Sequence, residues 1–81
     1  MSDEFAAAKQ RFIELAHEVD PDVTVVIPER ATQDAFRISL TRGAHRRFLT
    51  VSEDDMLDLV EDPQAAAKMH AFLRSEIHQL G

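Results

Sequence analysis

The chain contains no cysteine, no tryptophan and no tyrosine, and only two glycines in 81 residues. Without a thiol there is no disulfide framework, no thiolate metal site and no cysteine nucleophile. One of the two glycines is Gly81, which leaves Gly43 alone in the body of the chain. A phosphate-cradling loop needs several glycines to bring its backbone onto the anion, so that site is excluded. Long apolar runs are also missing. No stretch approaches the roughly 20 residues that span a bilayer, and no membrane partner is expected. The opening MSDEFAAAKQRF lacks the basic start and apolar core of a secretion signal, so the expected location is the cytoplasm.

Enough is present to fold. The chain is 44% hydrophobic and 30% charged, an ordinary globular balance, and its length predicts one domain covering residues 1–81. The net charge of −6 is unevenly placed. Residues 35–52 hold Arg37, Arg42, Arg46 and Arg47 and no acid. Residues 53–62 hold Glu53, Asp54, Asp55, Asp58, Glu61 and Asp62 and no base. A basic segment therefore runs directly into an acidic one.

Periodicity supplies the elements. Phe5, Ala8, Phe12, Leu15, Ala16 and Val19 recur at spacings of three and four, the stripe of a helix capped by Ser2 and stopped near Asp20 by Pro21. The β-branched run 23–27 predicts a strand ended by Pro28. Residues 28–33, PERATQ, predict a polar, mobile connection. Phe36, Ile38 and Leu40 then alternate with Arg37, Ser39 and Thr41, the period of a half-buried strand. A two-residue type I′ loop at Arg42 and Gly43 would pair Phe36 with Leu49. It would put Leu49 and Val51 on the inner face and Arg46, Phe48 and Thr50 on the outer one.

Ser52 is a strong helix N-cap, with Asp55 three residues on and Val51 and Met56 placed as a hydrophobic staple. Met56, Leu57, Leu59 and Val60 supply the apolar side of that helix. Asp62 followed by Pro63 starts a second one. The expected helices cover about 53–61 and 63–79, the latter with a stripe of Ala66, Met69, Phe72, Leu73, Ile77 and Leu80. The order α-β-β-β-α-α predicts an α+β, two-layer fold: a three-stranded antiparallel meander packed on helices.

Candidate chemistry is sparse. His70 and His78 are eight residues apart, about 12 Å along a helix axis, too far to share an ion. His17 has only Glu14 and Glu18 near it on its helix. Asp54, Asp58 and Asp62 share a helix face, but DDMLDLVED lacks the glycine turn and alternating ligands of a calcium loop. Ser75 and His78 have no evident third group. No metal, cofactor or catalytic residue is expected, and the chain is not expected to be an enzyme.

The remaining candidate is the outer face of the hairpin, where Arg37, Arg46 and Phe48 gather with Arg42 at the tip. Arginine beside an aromatic ring is common at protein interface hot spots. The expected partner is therefore another protein or a second copy of this chain. The same pairing can hold phosphate and stack a base, so nucleic acid is the alternative partner. A third outcome is internal, with these arginines paired to Asp58, Glu61 and Asp62 of their own chain.

Overall fold

The computed structural model describes residues 5–80. Helix α1 (Ala6–Val19) is followed by strands β1 (Thr24–Val26), β2 (Ala35–Arg42) and β3 (His45–Ser52), then helices α2 (Glu53–Glu61) and α3 (Pro63–His78). The strands form one antiparallel sheet in the order β1-β2-β3. The fold is α+β with the element order that the periodicity predicts.

One sheet face is dry. Phe36, Ile38 and Leu40 of β2 and Leu49 and Val51 of β3 are buried, and their alternate neighbours are not. They join Ala8, Phe12, Leu15 and Ala16 of α1, Met56 and Leu59 of α2, and Ala66, Met69, Leu73 and Ile77 of α3 in one core. Phe5 packs edge-on against Phe36 with ring centroids 5.1 Å apart. All three helices thus bury their stripes against the same side of the sheet. The opposite side is left without a helix.

The helix boundaries follow local chemistry. Ser52 caps α2, its Oγ accepting the Asp55 N–H at 3.1 Å. Val51 and Met56, the two ends of the expected staple, are both buried. Asp62 caps α3, accepting the Gln64 N–H at 2.9 Å, with Pro63 in the first turn. The Asp62 N–H still bonds the Asp58 carbonyl at 2.8 Å, so the residue ends one helix and begins the next. The cap expected at Ser2 lies outside the described residues. His17 reaches away from Glu14 and Glu18. Its ring Nε2 lies 3.0 Å from the Val23 carbonyl and donates to it, tying α1 to the entry of β1.

Three expectations need correction. The hairpin loop is Gly43 and Ala44, one position later than expected, with Arg42 paired to His45 and Phe36 to Val51. Gly43 has φ +61 and Ala44 is not in the positive region, the pattern of a type II′ turn. A type I′ turn at Arg42 and Gly43 would have forced positive φ on an arginine. The slip changes each pairing by two residues, so every β3 side chain keeps its expected face.

The connection after β1 is also more ordered than its composition implies. Thr32 and Ala35 exchange both backbone hydrogen bonds, at 2.8 and 3.1 Å, around Gln33 (φ 54) and Asp34 (φ 63). This is a tight turn with type I′ signs, and the Asp34 carbonyl accepts the Glu53 N–H at 2.9 Å. Finally, Phe72 and Val60 are exposed and not part of the core. Ala66, Met69, Leu73 and Ile77 complete the inward stripe of the last helix without Phe72, and Leu80 in the turn after it is buried too.

Candidate interaction face of the sheet

The open face is laid out by register. Val26 pairs with Ser39, and Ser39 pairs with Phe48, so these three side chains form one row across the sheet. Thr24, Thr41 and Arg46 form the next row, and Arg37 and Thr50 lie side by side beyond Phe48. Phe48 is 51% exposed and Val26 56%, although both stand in regular strands. A solvated sheet face normally carries polar groups at such positions, and here two large apolar groups flank one serine.

The arginines divide between the two faces. Arg37 and Arg46 share the open face with Phe48. The Arg37 guanidinium lies over the Phe48 ring, 4.8 Å from its centroid. That contact attracts the cation to the ring. Arg42 and Arg47 have the opposite parity and point to the helix side. Arg42 bonds Asp20 at the end of α1, and Arg47 Nε donates to Glu76 of α3 at 2.7 Å. The acids Asp58, Glu61 and Asp62 expected to neutralise the hairpin form neither pair. Among the described residues, Arg37 and Arg46 have no ion pair at all.

The Arg42 contact has an electrostatic signature. The Asp20 carboxyl is held below its ordinary pKa of 3.8, first by the hydrogen bond from Arg42 and then by the N–H of Asp22. Asp20 accepts that N–H at 2.9 Å, so one carboxylate closes the turn after α1 and anchors the hairpin tip. Of the four residues expected on the hairpin face, Arg37, Arg46 and Phe48 are brought together and Arg42 stands on the other side.

A second surface borders the free edge of β3. Thr50 and Val51, Asp55, Asp58 and Asp62 of the α2 segment, and Ala65, Lys68, Met69 and Phe72 of α3 line a groove of about 410 Å³. Its floor is apolar and one wall is acidic. The sequence places Asp55, Asp58 and Asp62 in the acidic run 53–62, though the helical spacing singles out Asp54 in place of Asp55, and it gives no sign that they would overlook a strand edge. The exposed Phe72, at 40%, was detectable, because it sits beside Leu73 in a helix whose inward stripe is already complete.

No family model, no curated protein and no solved structure matches this chain. Among the described residues no helix is long and apolar enough to cross a membrane.

Proposed function

We propose that this protein is a non-enzymatic binding module that docks another protein on the open face of its sheet, with Phe48 at the centre of the contact. The observation that carries this is the row Val26–Ser39–Phe48, apolar and more than half exposed at both ends, with Arg37 stacked on the ring. Aromatic and arginine side chains are enriched at interface hot spots, the ring as a large rigid contact and the guanidinium as a planar fork of donors. Arg46, unpaired two residues before Phe48, supplies a polar rim.

Nucleic acid fits this face less well. Arg42 and Arg47 are occupied by Asp20 and Glu76, which leaves two of the hairpin's four guanidinium groups without an ion pair, on a molecule of net charge −6. Phosphate binding draws on many cations at once.

Phe48→Glu tests the protein-docking function. Because Phe48 is exposed, the variant should melt within a few degrees of the wild type by far-UV circular dichroism. Its association, measured by sedimentation velocity for self-assembly and by affinity capture with wild type and variant as paired baits, should be lost. Association that survives the substitution would sink the proposal. A salt-sensitive gel shift with DNA or RNA, lost on Arg37→Ala, would instead support the nucleic-acid alternative.

A further inference from the structure

Strand β3 is eight residues long, stands at the edge of the sheet, and pairs with β2 without a bulge or a proline. The two-residue loop makes Arg42 and His45 a hydrogen-bonded pair, and such pairs alternate along an antiparallel ladder. The backbone N–H and C=O groups of Arg46, Phe48 and Thr50 therefore point away from β2, towards the open edge. Among the described residues no hydrogen bond reaches them. Proteins usually blunt such an edge with a bulge, a proline, a covering segment or charges along the strand, and β3 has only the charges of Arg46 and Arg47 near its start. Here it is bordered by exposed aromatic rings on both sides, Phe48 on the open face and Phe72 across the groove on the helix side.

The edge is also polar along its length. It begins beside Arg46, which has no ion pair, with Arg42 and Arg47 already held by Asp20 and Glu76, and it ends in Glu53, Asp54 and Asp55, the first turn of α2. A parallel neighbour of the same sequence would set like charges together. An antiparallel one would set the basic end of each strand against the acidic end of the other, twice over. That self-complementarity is what a two-fold interface requires.

We infer that the free edge of β3 takes a second copy of this chain in antiparallel pairing, joining two three-stranded sheets into one. This rests on the Phe48 face being a docking surface and names its partner. Only residues with outward-pointing backbone groups can make the new hydrogen-bonded pairs. The register that pairs all three puts the two-fold axis at Phe48, which faces its counterpart, while Arg46 faces Thr50 of the other copy. The rows Val26–Ser39–Phe48 of both copies meet end to end, giving one apolar band with the two rings at its centre.

Sedimentation velocity over a range of protein concentrations tests this. The wild type should dimerise, and added salt should weaken the dimer. Arg46→Glu should run as a monomer, because both ends of each edge would then be acidic. Asp54→Lys/Asp55→Lys should run as a monomer for the opposite reason. Mixing the two variants should restore a heterodimer, because an edge acidic at both ends then meets one that is not. Thr50→Pro removes an outward N–H that makes no bond within the chain, and it too should run as a monomer while keeping its circular dichroism spectrum. A wild type that stays monomeric, or a dimer that survives both Arg46→Glu and Thr50→Pro, would overturn the inference. In the first case, a different protein released by Phe48→Glu would leave the docking face standing with another partner. A dimer that ignores Phe48→Glu but yields to Thr50→Pro would keep the edge and remove the face.

Discussion

Gln33 and Asp34 hold a backbone conformation that side chains with a Cβ atom rarely adopt. Each such residue costs about 1–2 kcal/mol relative to glycine, less where a short polar side chain can bond locally. The turn persists because both its flanking hydrogen bonds and the Asp34 carbonyl bond to Glu53 fix it from outside. Replacing the pair with the favoured dipeptide, Gln33→Asn with Asp34→Gly, should therefore stabilise the protein. The gain should be about 1 kcal/mol after the extra freedom of glycine in the unfolded chain is subtracted. The melting midpoint should rise by roughly 4–8 °C in calorimetry. An unchanged or lower midpoint would show that the turn is relaxed as it stands. PERATQ did not reveal this turn, because neither Gln33 nor the residues before it carry a turn signature. Ser52 was legible for the opposite reason: a cap is decided by a few neighbours, and all of them lie within four residues.

At the level of strands and helices, face was easier to read than position. The alternation from Phe36 to Leu40 and the aliphatics Leu49 and Val51 settle which side of β2 and β3 is inside, because a slip of one residue would bury arginines. The same parity puts Arg42 and Arg47 on the helix side and Arg37, Arg46 and Phe48 on the open one. The loop position was not legible, since Arg42 is drawn into β2 with its guanidinium on Asp20, 22 residues earlier. That tie also links helix, strand and pH. The folded pKa of Asp20 is depressed, so the stabilisation is present above the unfolded value of 3.8 and is lost as pH falls through the folded value. Asp20→Asn keeps the acceptor for the Asp22 N–H and removes the charge. It should melt below the wild type at pH 7, and the gap between the two midpoints should begin to close only below about pH 4, as pH falls towards the folded value. A gap that stays constant from pH 7 to pH 2.5 would mean that the ion pair adds nothing.

For the molecule as a whole, the sequence foretold the layers but not how the surface would be divided. The candidate face depended on which arginines found acids within the chain. Asp20 and Glu76 lie far from the hairpin in sequence and become partners only once α1 and α3 have packed. The sequence separation of those pairs predicts an order in which the chain assembles. β2 and β3 meet across two residues, an entropically small closure that a hairpin makes in about 1–10 μs. Helix α1 instead packs against α3 at the far end of the chain, and its clamp to the hairpin needs β2 already in place. Destabilising the hairpin core by Ile38→Val should thus slow refolding, whereas Leu15→Ala in α1 should mainly speed unfolding, as stopped-flow circular dichroism would show. The last clasp to close would then be the first to open, so the lifetime of the native state would be governed by α1 letting go of the hairpin tip.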